Sequence, residues 1–245
     1  MGVDFANVGF PVREDLRESH REAWRRLASP GSWWSGGERV AIAAEVRAAR
    51  DCALCTARKG ALSQSAVAGV HDGPGELPGA AIEVIHRLTT DSGRLSKSWF
   101  DRVRADGLDE GAYVEIVGVT VTVVSIDSFC RGIGVPLHDL PEPLEGEPSR
   151  YRPAAACDDG AWVPMLPNRR ARGDEADLWT TLGTGNVIRA MSLVPDEVRT
   201  LNLLSASHYL SMEQMTDLRK GREGITRQQI ELLAGRISAL NQCFY

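Results

Sequence analysis

A chain of 245 residues, 43% hydrophobic and 25% charged, is long enough to bury a sizeable core in one large domain or two smaller halves. The net charge of −5 gives no reason to expect a nucleic-acid partner, and no apolar run approaches the roughly 20 residues of a membrane-spanning helix. The stretch from Met1 to Gly9 lacks signal-peptide character. The five cysteines of the chain are therefore expected in a reducing cytoplasm.

Helical patterns dominate the first half of the chain. A strongly charged amphipathic stretch begins at Arg13, and an alanine-rich stretch leads directly into the first two cysteines. Several glycines and Pro74 make residues 61–77 loop-like. The periodicity predicts helices over 13–28, over 37–50, from about residue 52, over 78–90 and over 96–104.

Residues 109–132 fit both a strand and a helix. Their many valines and isoleucines favour a strand by propensity. The acidic start at Asp109 and Glu110, the unbroken length and Gly132 after the last apolar turn favour a helix. Because strands are rarely so long, we predict a buried helix.

Seven prolines between residues 136 and 185 exclude regular helix from most of that segment. It is predicted to be a long connection that wraps the surface or a partner subunit. Helical patterns resume over 186–192, 195–210, 212–220 and 226–243.

The most informative motif is Cys52-Ala-Leu-Cys55, at the predicted start of a helix. The free amides of a first helical turn and the positive end of its dipole favour a thiolate there. Arg58 and Lys59 follow closely and add positive charge. The pair is a candidate redox site, and two small residues buried at a helix contact are the alternative interpretation.

Two further residues are candidates for proton transfer. Glu45 lies seven residues before Cys52, two turns along the same face if the helix continues, and a surface pair with an arginine is its alternative role. His86 is a candidate general base or a satisfied core histidine. The spacing Glu83-x-x-His86 occurs in di-iron bundles, but only one such motif is found. Neither iron there nor zinc on Cys52, Cys55 and His86 is favoured, so no metal and no cofactor are predicted.

Four residues are candidates for substrate binding. Lys59 lies one turn after Cys55. His71, in a glycine-rich loop, is a candidate gate or general base, although a solvated loop histidine is the favoured interpretation. Glu115 and Asp127 lie in the apolar 109–132 stretch, where a charge requires a pocket or a buried arginine partner.

The end of the chain repeats the pattern that precedes the first cysteine. The stretch from Thr226 runs helically into Cys243, and placing Cys52 over Cys243 aligns apolar residues with apolar residues. Repeated patterns indicate related structural units. We predict two related helical halves: a first repeat with an N-terminal helix over 1–135, a proline-rich linker over 136–185, and a second, truncated repeat over 186–245.

The second segment, Ile225-Thr-Arg-Gln-Gln-Ile-Glu-Leu-Leu-Ala-Gly-Arg-Ile-Ser-Ala-Leu-Asn-Gln-Cys-Phe-Tyr, resembles the core motif of the alkyl hydroperoxidase D and carboxymuconolactone decarboxylase superfamily. The phrases Cys52-Ala-Leu-Cys-Thr-Ala-Arg-Lys, Asp91-Ser-Gly-Arg-Leu and Ser192-Leu-Val-Pro resemble its two-repeat alkylhydroperoxidase-related branch. The resemblance implies an all-α fold, obligate homo-oligomers and, in some members, thiol peroxidase activity. The family's proton-relay positions hold Val40 and Lys59 here, so weak turnover of simple alkyl hydroperoxides is expected.

The leading hypothesis is a peroxidase-like thiol oxidoreductase in which Cys52, Cys55, Glu45 and His86 are catalytic. Its expected partners are a small-molecule substrate, a thiol reductant and a second copy of the chain, with no nucleic acid and no membrane. One alternative is a cofactor-independent lyase, decarboxylase or cyclase of a biosynthetic pathway that uses Glu45 and His86. The other is a non-catalytic oligomeric scaffold.

Overall fold

The computed structural model describes residues 3, 5, 8–168, 171–179, 184–241 and 243. Across these residues the protein is all-α, as predicted, with no strand and two isolated bridges. The described residues form α1 (Glu14–Ala28), α2 (Gly36–Ala48), α3 (Ala53–Gly60), α4 (Gly79–Asp91), α5 (Lys97–Ala105), α6 (Glu110–Gly132), α7 (Asn186–Arg189), α8 (Pro195–His208), α9 (Met212–Thr216) and α10 (Arg227–Leu240). The helices predicted over 186–192 and 212–220 are shorter in the structure.

Helix α6 is the centre of the fold. Its side chains are buried around most of its circumference, including Ile116, Val119, Val123 and Ile126, all at most 1% exposed. β-Branched residues have slightly lower helix propensity, but burial against neighbouring helices outweighs that preference. Helices α2, α4 and α8 pack against α6.

By length and hydropathy, α6 is also the one helix in the described part of the chain that could cross a membrane. This corrects the expectation that no run is long and apolar enough. Within its most apolar window, however, 67% of the residues are buried inside the protein. Such burial fits a core helix, because a membrane span would present its apolar side chains to lipid.

Two buried ion-pair systems hold α2 against its neighbours. Arg39 pairs with Glu115 of α6 and, at 2.8 Å, with Glu197 of α8. Arg47 donates two hydrogen bonds to the carboxylate of Asp127, at 2.9 and 3.0 Å. Because a bidentate contact restricts orientation, the Arg47–Asp127 pair helps to fix which face of α2 points toward the loop before α4.

The described part of the proline-rich segment 136–185 forms no α-helix and packs on its own chain, with Val163, Leu166 and Leu178 buried in the core. The Leu144 N–H donates to the carbonyl of Ala28 at 2.8 Å, and the Ser149 N–H donates to that of Gly31 at 3.0 Å. The segment therefore lies along the connection between α1 and α2. The division of the chain into two related halves stays a prediction.

Candidate functional site

Cys52 and Cys55 lie at the start of α3. Cys52 is the N-cap residue, and its Sγ accepts the backbone N–H of Cys55 at 3.5 Å. The same sulfur accepts the N–H of Asp72 at 3.5 Å. The two cysteines are 0% and 4% exposed. Both sulfurs therefore lie at the positive end of a helix while being shielded from bulk water.

The loop between α3 and α4 brings His71 to both sulfurs. Nδ1 of His71 lies 3.6 Å from Sγ of Cys52 and 3.5 Å from Sγ of Cys55. The carboxylate of Asp72 accepts the N–H of Ala53 at 2.8 Å, which ties the loop to the first turn of α3. The His71 side chain is only 8% exposed, so it is not the solvated residue that the sequence favoured.

A carboxylate holds the far side of the His71 ring. Nε2 of His71 lies 2.9 Å from Oε2 of Glu83 on α4. Glu83 also accepts hydrogen bonds from Arg58 at 2.8 Å and from the indole N–H of Trp99 at 3.0 Å. Burial opposes ionisation of Glu83, but the hydrogen bonds from these three residues outweigh it and lower the pKa to about 2.

His86, on α4, forms a second imidazole–carboxylate pair. Its Nδ1 lies 3.3 Å from Sγ of Cys55, and its Nε2 lies 3.0 Å from Oε2 of Glu45. The other Glu45 oxygen accepts the N–H of Gly75 at 2.7 Å, so Glu45 does not form the surface pair with an arginine. Burial lowers the pKa of His86 despite the hydrogen bond to Glu45, which favours a neutral ring at neutral pH.

The loop crosses Glu45 at a glycine. A Cβ placed on Gly73 would lie 2.2 Å from Oε2 of Glu45, a distance that no side chain can occupy without displacing the carboxylate. Gly73 therefore allows the loop to cover the buried dyad of Glu45 and His86.

Charge in the cysteine–histidine cluster (Cys52, Cys55, His71 and His86) is set by its hydrogen bonds. Burial opposes a charged His71, but hydrogen bonds to Cys55, Glu83 and Cys52 outweigh it and raise the pKa to about 10. Burial also opposes the Cys52 thiolate, whereas the N–H groups of Cys55 and Asp72, with His71, lower its pKa overall. These pKa shifts favour a thiolate on Cys52 beside a protonated His71.

The structure does not bring three of the sequence-predicted residues to this cluster. Lys59 is exposed in the last turn of α3. Glu115 and Asp127 are buried in α6 and are held by Arg39 and Arg47. Of the two expected alternatives, a pocket or a buried arginine partner, the structure shows an arginine for each, and the two ion pairs join α2 to α6.

Sequence reasoning missed the partnership of Glu83 and Arg58 with His71. The motif Glu83-x-x-His86 places both side chains on one face of α4, which predicts a shared set of ligands. In the structure the two side chains instead serve different partners, since Glu83 contacts His71 and His86 contacts Cys55. A histidine in a glycine-rich loop just before that helix is the signal that points to this arrangement.

A cavity of about 470 Å³, the arginine cavity, adjoins the cluster. Arg58 and Glu83 form part of its wall, together with Arg87, Trp99 and Arg102. Nε of Arg87 is buried without a hydrogen-bond partner among the described residues, and its guanidinium lies 5.8 Å from the centre of the Trp99 ring. The wall carries three arginines against the carboxylates of Glu83 and Asp106, so it offers a net positive charge beside an aromatic surface, which suits a small anion.

The other cysteines occupy different environments. Cys130 is buried in α6, where burial and then the charge of Asp127 raise the pKa of its thiol. Cys157 and Cys243 are exposed. A buried thiol with a raised pKa is a poor nucleophile, so Cys130 is suited to packing.

Comparison with known proteins gives no independent assignment. No protein-family model, no curated protein and no solved structure matches the chain. The function must therefore be inferred from the geometry of the cysteine–histidine cluster.

Proposed function

We propose that the protein is a thiol oxidoreductase that reduces a hydroperoxide with the Cys52/Cys55 pair. One observation carries the proposal: each sulfur lies beside an imidazole whose other nitrogen contacts a carboxylate. The two chains of contacts are Cys52–His71–Glu83 and Cys55–His86–Glu45. A nucleophile beside a base that a third group orients is the arrangement that activates a thiol.

Cys52 is the nucleophile in this proposal, because it caps α3 and accepts two backbone N–H groups. Its thiolate attacks the terminal oxygen of the hydroperoxide, and the O–O bond breaks. The alkoxide that leaves takes a proton from His71 and departs as an alcohol. Cys52 is now a sulfenic acid, and His71 is neutral.

Cys55 then resolves the sulfenic acid. Its thiol proton passes to Nδ1 of His86, and the resulting thiolate attacks the sulfur of Cys52. Hydroxide leaves, takes the proton from His86 and departs as water, so that a Cys52–Cys55 disulfide forms. An external dithiol reduces the disulfide by exchange and supplies two protons, of which one stays on Cys55 and the other returns to His71, so that Cys52 is again a thiolate.

The arginine cavity supports an anionic substrate. Its wall includes Arg87 and Arg102, and it reaches Glu83, one hydrogen bond from His71. A hydroperoxide that carries a carboxylate would place its anion against these arginines. Simple alkyl hydroperoxides lack that group, and we therefore still expect them to react weakly.

The lyase, decarboxylase or cyclase alternative receives less support from the same geometry. It requires Glu45 and His86 to move protons on a bound substrate. Nδ1 of His86 instead faces Sγ of Cys55, and Glu45 is held by His86 and the N–H of Gly75, so neither group is directed at a substrate site. Full turnover of a carboxylate or ketone by a variant without both cysteines would select this alternative.

Trapping of the sulfenic acid tests the proposal. Reduced, chelator-treated protein receives one equivalent of hydroperoxide with dimedone and no reductant. We expect the Cys55→Ser variant to carry a dimedone adduct on Cys52 and the Cys52→Ser variant to carry none at position 55. Cys130→Ser is the matched control and should form the disulfide as the unmodified protein does. An adduct on Cys55, or no oxidation of either cysteine, would contradict the assignment.

A homodimer is also part of the proposal, as the resemblance implies. Sedimentation velocity at micromolar concentration is the appropriate measurement. We expect a dimer, and a monomer throughout that range would count against it.

A further inference from the structure

We infer that the cysteine–histidine cluster binds one Zn²⁺ ion through the sulfurs of Cys52 and Cys55 and the Nδ1 atoms of His71 and His86. Two thiolates and two imidazoles are a donor set that zinc prefers in closed, four-coordinate sites. The inference stands independently of the proposed thiol chemistry, because it concerns where the four donor atoms lie.

The distances between donor atoms match a tetrahedral ion. With Zn–S of about 2.3 Å and Zn–N of about 2.0–2.1 Å, a tetrahedral site separates a sulfur from a nitrogen by about 3.6 Å. Three of the four sulfur–nitrogen pairs in the cluster are separated by 3.3, 3.5 and 3.6 Å. All four donor atoms lie within 4.8 Å of one another. An ion can enter with little rearrangement.

Both imidazoles are oriented as zinc ligands are. Their Nδ1 atoms face the sulfurs, while Nε2 of His71 lies 2.9 Å from Glu83 and Nε2 of His86 lies 3.0 Å from Glu45. A carboxylate that accepts a hydrogen bond from Nε2–H favours the ring form in which Nδ1 carries a lone pair, and this lone pair can bind a metal. A histidine that binds a metal almost always donates its other ring N–H to a carboxylate, a backbone carbonyl or water, and both rings here have a carboxylate in that place.

Hydrogen bonding alone satisfies the cluster less completely than a cation does. Nδ1 of His71 contacts two sulfurs, but it carries either one proton or one lone pair. It can therefore pair well with only one sulfur at a time. A cation between the four atoms interacts with both sulfurs and neutralises two thiolates.

Zinc and hydroperoxide would compete for the same sulfurs. In the closed site both thiolates are ligands, so the ion shields them from oxidation. When oxidation does occur, two zinc-bound thiolates, one hydroperoxide and two protons give a disulfide, an alcohol, water and free Zn²⁺. A disulfide cannot supply two thiolate ligands, so oxidation releases the ion.

Metal titration of the full, reduced chain tests the inference. Zn²⁺ is added in competition with a chromophoric chelator, and Co²⁺ is added in a parallel experiment as a spectroscopic probe. We expect one Zn²⁺ per chain, together with cobalt bands of tetrahedral coordination and sulfur-to-cobalt charge transfer. No stoichiometric uptake by correctly folded, reduced protein would overturn the inference, as would an octahedral cobalt spectrum without charge transfer.

Substitutions then identify the ligands. Cys55→Ser and His71→Gln should each weaken zinc binding by at least about 100-fold, and Glu83→Gln should weaken it by about 10- to 100-fold. Cys130→Ser, a buried cysteine outside the cluster, should bind as the unmodified protein does. Far-UV circular dichroism confirms that each variant remains helical. Unchanged zinc binding by Cys55→Ser and His71→Gln would overturn the ligand assignment.

Zinc binding and thiol chemistry can fail separately. Stoichiometric zinc uptake without peroxide-dependent disulfide formation in chelator-treated protein would support the zinc site and reject the proposed oxidoreductase. Disulfide formation without zinc uptake would do the reverse.

Discussion

Two helices of this protein have similar sequence patterns and very different environments. Helix α2 leads into Cys52 and α10 leads toward Cys243, and both begin with a capping box. In α2, Ile42 is fully buried, whereas its aligned counterpart in α10, Leu233, is 55% exposed. The local sequence is sufficient to form a helix in both regions, because capping and propensity act within a few residues.

Packing and chemistry distinguish the two regions. Helix α2 is covered by α4 and α6, and it contributes Glu45 to the cysteine–histidine cluster. Helix α10 keeps Glu231 on its surface, where the carboxylate accepts hydrogen bonds from Tyr209 and Arg227. A repeated sequence pattern therefore predicts the helix but not the site, which needs α4 and its preceding loop.

The largest expected difference concerns the cysteines. Cys52→Ser and Cys55→Ser should each abolish reductant-dependent hydroperoxide turnover, because the reaction needs one sulfur to attack and the other to resolve. Cys243→Ser should leave the rate unchanged, since Cys243 is exposed and outside the cluster. Steady-state peroxide consumption measures all three. Loss of activity in Cys243→Ser would show that the end of the chain also contributes to the reaction.

The next largest effect concerns stability. Ile42→Ala should lower the free energy of unfolding by about 2–5 kcal/mol, since it removes fully buried methyl groups from the core. Leu233→Ala should change it by no more than about 0.5 kcal/mol, because that side chain faces solvent. Urea unfolding followed by circular dichroism gives both values. Equal losses would show that α10 is covered in solution.

One glutamate from each helix extends the comparison, although the two do not occupy aligned positions. Glu45→Gln should slow hydroperoxide turnover by about 10²-fold, a usual loss for an impaired general acid or base. Glu231→Gln should have no effect on the rate, because its carboxylate contacts Tyr209 and Arg227 on the surface. Both rates come from the same peroxide assay under saturating reductant. A lower turnover rate in Glu231→Gln would show that α10 contributes to catalysis.

A pH-dependent effect is expected where α1 meets α8. Nε2 of His20 lies 2.6 Å from Nε2 of His208, with His138, Arg13 and Asp15 nearby. Burial lowers the pKa of His20 to about 3 and that of His208 to about 4. The unfolded chain binds these protons near the ordinary value of about 6.5, so stability should fall as pH drops from about 6.5 toward 3.

Urea midpoints across that pH range measure the effect. His208→Gln should flatten the decline, because it removes one of the two titrating rings. A stability that is constant from pH 6.5 to pH 4 would contradict the assignment of neutral, buried imidazoles.

Much of the helical fold could be predicted from the sequence, because periodicity and caps act locally. The length and the acidic start of the stretch 109–132 predict a helix, which the structure confirms as α6. The same reasoning could place Glu45 and His86 as candidates, since Glu45 lies two helical turns before Cys52 and His86 lies on a helix with much apolar surface. It could not predict that His71 would be buried between two sulfurs, because a loop path is set by tertiary contacts such as that of Asp72 with α3.

The predicted substrate-binding role of Glu115 and Asp127 shows a second limit. A carboxylate in an apolar helix needs a partner, and either a ligand or a distant arginine can supply it. The sequence contains 25 arginines among its 28 basic residues, so composition cannot choose between these outcomes. The structure places Arg39 and Arg47 on the facing side of α2.

If Cys52 and Cys55 form the reactive centre of the molecule, hydroperoxide should oxidise them before any other cysteine, and mass-spectrometric mapping of the first oxidation product decides this. Reduced, chelator-treated protein is treated with one equivalent of a carboxylate-bearing hydroperoxide, alkylated and digested with trypsin. Cleavage after Arg50 and Arg58 leaves both cysteines in one peptide. We expect this peptide to lose two hydrogens and to escape alkylation, while Cys130, Cys157 and Cys243 remain reduced. Oxidation of Cys157 or Cys243 with an intact Cys52/Cys55 pair would contradict it.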